Sequence, residues 1–154
     1  MTLSELLKPE LILPKIVCAS KDELIAKLVD LVYNTGIPEL PLPKEDLLKT
    51  ITKREQIGGT LLPSGLSIPH ARLQNFENFV LAFGIPAEPI FHEGIQIQLS
   101  ALMITNQPGT PWYLPVLAVL TKISRDKEYF SRLCGAENPD DVVRILRERD
   151  PELA

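Results

Sequence analysis

Arg54-Glu55-Gln56-Ile57-Gly58-Gly59-Thr60-Leu61-Leu62-Pro63-Ser64-Gly65-Leu66-Ser67-Ile68-Pro69-His70 is the stretch that orders the rest of the chain. It brings a polar helical pattern to its end, crosses a glycine-rich turn, and delivers a histidine directly after a proline. The chain has only two histidines, and His70 alone is carried on such a scaffold. His92, between Phe91 and Glu93, reads as a surface residue.

Upstream, the helix that ends near Gln56 starts at about Pro43, with Leu47, Leu48 and Ile51 on one face. Before it, Ser20-Lys21-Asp22-Glu23 is a capping-box pattern opening a helix whose apolar positions Leu24, Ile25, Leu28, Val29, Leu31 and Val32 follow helical spacing. Gly36 closes that helix, and prolines 38, 41 and 43 hold the connection. Residues 15–18 read as a strand, with Pro14 confined to its start or to an edge, and residues 1–10 as a loosely attached segment with one helical turn. Downstream, residues 66–68 form a short strand that stops at Pro69, and 79–85 a strand covered on both faces. Residues 89–91 are an edge piece and 95–105 a central strand. Residues 112–123 read as a buried helix, 125–133 as a second helix and 139–149 as a third, capped by Asn138. Helices before, between and after strands imply a sheet sandwiched between helical layers, with strand order left open.

The chain of 154 residues suits one domain spanning 1–154, with a substantial core. Its net charge of -4 argues against nucleic acid or an anionic membrane as the dominant partner. Cys18 and Cys134 match no metal or redox spacing, so buried free thiols in a reducing cytoplasm are expected. With no signal pattern and no apolar run long enough to span a bilayer, a cytoplasmic protein without membrane insertion is expected. The histidines and scattered carboxylates fit no metal spacing.

Ile51-x-x-Arg54-Glu55-x-x-Gly58-x-Thr60, followed by Gly65-Leu66-Ser67-Ile68-Pro69-His70-Ala71, resembles the active-site signature of the mannitol/fructose-type enzyme IIA domains of the bacterial phosphoenolpyruvate:sugar phosphotransferase system. Nitrogen-regulatory IIA proteins share it. The small residue after the histidine is Ala71 and the basic one that often follows is Arg72. The resemblance extends over nearly the whole chain and implies an α/β fold, a three-layer α/β/α sandwich around a central mixed sheet. It implies that His70 is phosphorylated on Nε2 by the phosphocarrier HPr and passes the group to a IIB cysteine, with no bound cofactor. Arg54 then matches the site arginine, its fork suited to phosphoryl oxygens, and backbone N–H groups of Gly58, Gly59 and Thr60 with the Thr60 hydroxyl would add donors. The other ring nitrogen of His70 should donate to a carbonyl.

Two positions depart from the pattern. Tyr113 stands where sugar-transporting relatives carry a second histidine, and Leu61-Leu62-Pro63 replaces Gly-Ile-Gly, which stiffens the loop and alters the pocket. The plain alternatives are that Arg54 is the solvated end of a helix, that Gly58-Gly59 is a C-cap and that Tyr113 is a core or rim residue. The expectation is a phosphoryl carrier, a protein-histidine phosphotransferase component in a regulatory, nitrogen-type role rather than sugar uptake. The missing histidine and the stand-alone length favour that role. The competing reading is a IIA-like interaction module that is never phosphorylated. The sugar, the regulated target protein and the oligomeric state, homo-dimer included, stay open.

Overall fold

The computed structural model describes residues 1–106, 111–150 and 152–153. Its centre is β4 (Val80–Pro86) and β7 (Leu99–Asn106), antiparallel to each other and buried along almost their whole length. β1 (Ile12–Ile16) adds to β4 in parallel as an edge strand, and its register shifts between Leu13 and Ile16, so Pro14 sits at an irregularity of an edge, where proline is tolerated. On the other side of β7 run β2 (Leu66–Ser67) and β3 (His70–Leu73), both parallel to it. They share one register, Leu66 against Leu99 and His70 against Met103, and are interrupted only at Ile68 and Pro69. The sheet is therefore mixed, and its strand order places His70 beside the central strand.

Alternation along the strands separates two cores. Leu81, Phe83, Ile85, Leu99, Ala101 and Met103 face one side, packed under α1 (Leu3–Leu6), α4 (Tyr113–Arg125), α5 (Lys127–Cys134) and α6 (Pro139–Arg147). Val80, Ala82, Leu102 and Ile104 face the other, under α2 (Lys21–Thr35) and α3 (Lys44–Gly58). The result is a three-layer α/β/α sandwich. α2 begins with half of the expected capping box: the Ser20 hydroxyl accepts from the Glu23 N–H at 3.1 Å, while the Glu23 carboxylate accepts from the Ala19 N–H at 3.0 Å, and Gly36 ends the helix at φ 65°.

Four expectations need correction. Residues 1–10 are firmly docked: Leu3, Leu7 and Leu11 are buried, Thr2 and Glu5 close a capping box, and the Ser4 hydroxyl donates to Asp150 at 2.8 Å. The run 95–105 is two strands rather than one. Ile95–Ile97 (β6) turns back on Ile90–His92 (β5) through Glu93 and Gly94, both at positive φ, as a two-residue hairpin requires. The helix expected to be buried, α4, is amphipathic: Val116, Leu120 and Ile123 are buried, whereas Leu114 is 69% exposed. Cys18 and Cys134 are free but half-buried rather than buried.

Candidate functional site

The site is assembled from the end of α3, the start of β3 and the start of α4. Arg54 lies one turn before the end of α3 and donates from Nη1 to the Gly58 carbonyl at 3.2 Å, while remaining exposed. Thr50, a turn earlier on the same helix face, donates its hydroxyl to the Asp46 carbonyl at 2.9 Å. Glu55 points the other way. Its side chain is 3% exposed, and Oε1 lies 3.1 Å from the ammonium of Lys21, whose side chain is 7% exposed. Both Glu55 oxygens lack an aligned hydrogen bond, so the buried carboxylate depends on that ammonium by charge and distance. Gly59 is glycine for this reason: a Cβ there would meet Glu55 Oε1 at 2.8 Å.

The backbone leading into β3 is tied from two sides. The Ile68 N–H donates to the Thr60 carbonyl at 2.8 Å, and the Pro69 carbonyl accepts from the Met103 N–H at 2.9 Å. Pro69 itself has no N–H and a fixed φ, which sets the chain direction just before the histidine. His70 is only 6% exposed. Its Nδ1 lies 3.4 Å from the Ile68 carbonyl oxygen. A carbonyl can only accept, so this contact selects the tautomer protonated on Nδ1 and leaves the lone pair on Nε2. Burial pushes the His70 pKa below its ordinary value. The Ile68 carbonyl works against that, the Arg54 and Arg72 cations reinforce it, and the Glu55 carboxylate opposes it.

Strand alternation puts Arg72 on the same side of β3 as His70. Tyr113, the first residue of α4, is half-buried against the core, and its ring centroid is 5.8 Å from that of His70 at an interplanar angle of 56°. The Arg72 guanidinium carbon lies 5.0 Å from the centre of the same ring. Thr50, Arg54, His70, Ala71, Arg72 and Tyr113 line one pocket of about 380 Å³.

Of the residues singled out from sequence, His70, Arg54 and Tyr113 thus meet in one pocket. Gly58, Gly59 and Thr60 are not among the described residues that line it; Gly58 holds Arg54 through its carbonyl, Gly59 covers Glu55, and Thr60 holds Ile68. Leu61, Leu62 and Pro63 are not among the described residues that line the pocket either: Leu62 packs on the main core and Leu61 on the hairpin cluster. Thr50 joins the lining without having been singled out, although a helical step of four from Arg54 would have found it, and Arg72, named by the resemblance only as a basic neighbour, joins it by a strand step of two from His70. His92 sits outside this pocket on β5, its Nε2 3.8 Å from Glu93. Among the described residues, no group of three or more metal-ligating side chains comes together, and no helix is long and apolar enough to cross a membrane.

Residues 5–149 match the family described as "Phosphoenolpyruvate-dependent sugar phosphotransferase system, EIIA 2". The chain is 26% identical to the nitrogen regulatory protein of Escherichia coli (strain K12), over 97% of this chain and 92% of that protein. Its fold is similar to that of the nitrogen regulatory protein IIA-Ntr from Neisseria meningitidis, with a TM-score of 0.80 at 24% identity, covering 94% of this chain and 98% of the other. It also resembles the structure of the complex of enzyme IIA mannitol and phosphorylated enzyme IIB mannitol from E. coli, with a TM-score of 0.72 at 19% identity over 93% and 98% of the two chains. With a family match over nearly its full length and the family's fold, the chain belongs to the EIIA 2 family of the phosphoenolpyruvate-dependent sugar phosphotransferase system and is a phosphoryl carrier of that system.

Proposed function

We propose that His70 is the phosphoryl-accepting residue, taking the group from an HPr-type phosphocarrier and passing it to a IIB cysteine or a regulated target protein. The observation that carries this reading is a buried imidazole biased to its neutral form, beside two guanidinium groups that line the same pocket. Neutral imidazole is the nucleophilic form. The Nε2 lone pair attacks the phosphorus of the donor's phosphohistidine. A new N–P bond forms as the donor's N–P bond breaks, and that electron pair returns to the donor nitrogen, so no proton need move between the rings. The Nδ1–H remains on the Ile68 carbonyl and keeps the ring oriented. Arg54 binds the transferred group, whose charge approaches -2, through its planar fork. The Gly58 carbonyl holds Arg54 in place, so the glycine turn acts through this arginine rather than by touching the phosphoryl group.

Similarity to a nitrogen regulatory protein across 97% of the chain favours a regulatory role over sugar uptake. The solved complex of a mannitol IIA with its phosphorylated IIB supports a IIB-type cysteine as one onward acceptor. Incubation with enzyme I, HPr and labelled phosphoenolpyruvate tests the assignment. The label is expected to be acid-labile and base-stable, absent from His70→Ala and retained by His92→Ala. Label on His70→Ala would overturn the assignment, and an unlabelled wild type would favour a pure interaction module.

A further inference from the structure

We propose that Arg72 is a second phosphoryl-binding side chain of this pocket and that Tyr113 is its positioning residue, the ring carrying the guanidinium beside His70. The inference rests on the phosphoryl-carrier reading above and adds residues that the signature argument left without a role. The placement follows from the fold. His70 and Arg72 project from the same side of β3, while Tyr113 opens α4 in the helical layer packed on that side. The tyrosine ring is half-buried against the core, so it is a fixed platform. The arginine above it is exposed, so its head is reachable from solvent. The guanidinium carbon at 5.0 Å from the ring centre is within cation–π range, and the same ring lies 5.8 Å from the imidazole. One aromatic ring therefore borders both the nucleophile and a permanent cation.

A transferred phosphoryl group presents three oxygens with nearly two negative charges, more than one fork can satisfy. Arg54 approaches from the end of α3 and Arg72 from β3, so the two guanidinium groups reach the pocket from separate elements. In this arrangement the Tyr113 hydroxyl is dispensable and its ring is not.

The test measures phosphorylation by enzyme I, HPr and phosphoenolpyruvate, with phosphohistidine lifetime and melting temperature read on the same proteins. Arg72→Gln is expected to slow phosphorylation ~10-fold or more, the rate equivalent of one charged hydrogen bond, with an unchanged melting temperature. Arg72→Lys should recover part of the rate, since the cation returns without the fork. Tyr113→Phe should stay within about 3-fold of wild type. Tyr113→Leu should fall as far as Arg72→Gln, and combining the two should add little, as expected for residues acting as one unit. Wild-type rates in Arg72→Gln would overturn the proposal. A loss in Tyr113→Phe equal to that in Tyr113→Leu would overturn the positioning role, because the hydroxyl would then be the acting group. Either result, with His70 still labelled in the wild type, leaves the carrier reading intact; an unlabelled wild type overturns both.

Discussion

The two sides of the last turn of α3 handle charge in opposite ways. On the inner side Glu55 is withdrawn from water and held against Lys21, joining the end of α3 to the start of α2. On the outer side Arg54, its chain neighbour, stays exposed, tied by one bond to the Gly58 carbonyl and facing the pocket of His70. A buried ion pair between helices fixes where the turn lies, but neither charge is available to a substrate. An exposed guanidinium contributes little to folding and is free to bind an anion. Residues side by side in sequence can therefore be divided between fold and function, and substitutions should separate the two.

The largest effect is expected on the inner side. Glu55→Ala should lose about 3–5 kcal/mol of stability, because it leaves the Lys21 ammonium buried and unpaired. Replacing both partners by Met or Leu should recover much of that loss, read by denaturant titration. A Glu55→Ala protein of wild-type stability would break the contrast. Next comes the outer side: Arg54→Ala should slow phosphorylation by about 100-fold, the usual effect of removing one preorganised donor, while stability changes by less than about 0.5 kcal/mol. A third test concerns the loop. Replacing Leu61-Leu62-Pro63 by Gly-Ile-Gly should cost about 2 kcal/mol through lost packing and added chain freedom, with transfer unchanged. A large change in rate would return the loop to the pocket.

The smallest effect is a pH slope. Burial holds the folded-state pKa of His70 below the unfolded value of about 6.5. Below that pH the unfolded chain binds the proton more readily, so the stability contributed by the neutral ring is present above ~6.5 and lost as pH falls toward the folded pKa. Chemical denaturation between about pH 7 and pH 5 should show a shallower decline in His70→Gln than in wild type. An identical slope in the two proteins would mean that the ring is not buried in solution.

What was legible in the sequence is what local chemistry dictates. The Ser20 cap, the Gly36 stop and the unbroken burial of β4 follow from neighbours in the chain. Arg54 and His70 were found because a short motif carries both. The Lys21–Glu55 pair was invisible, since it joins residues far apart that no pattern links. The docking of residues 1–10 had a signal in the spacing of Leu3, Leu7 and Leu11, but its strength comes from the distant partner Asp150. The β5–β6 hairpin was concealed because the apolar run continues past Gln98, although Glu93-Gly94 marks the turn. Arg72 shows how far a motif reaches: the resemblance named a basic residue there, while its seat on Tyr113 required the fold.

The central claim is that His70 presents Nε2, with Nδ1 committed to the Ile68 carbonyl, as the phosphoryl acceptor. Nitrogen–phosphorus coupling measured by NMR on the isotope-labelled, phosphorylated chain tests it most directly. A single phosphoryl group on Nε2 of His70, with a proton bound to Nδ1 of the same ring in the unphosphorylated form, is the predicted result. Coupling to Nδ1 of His70, or to either nitrogen of His92, would contradict it.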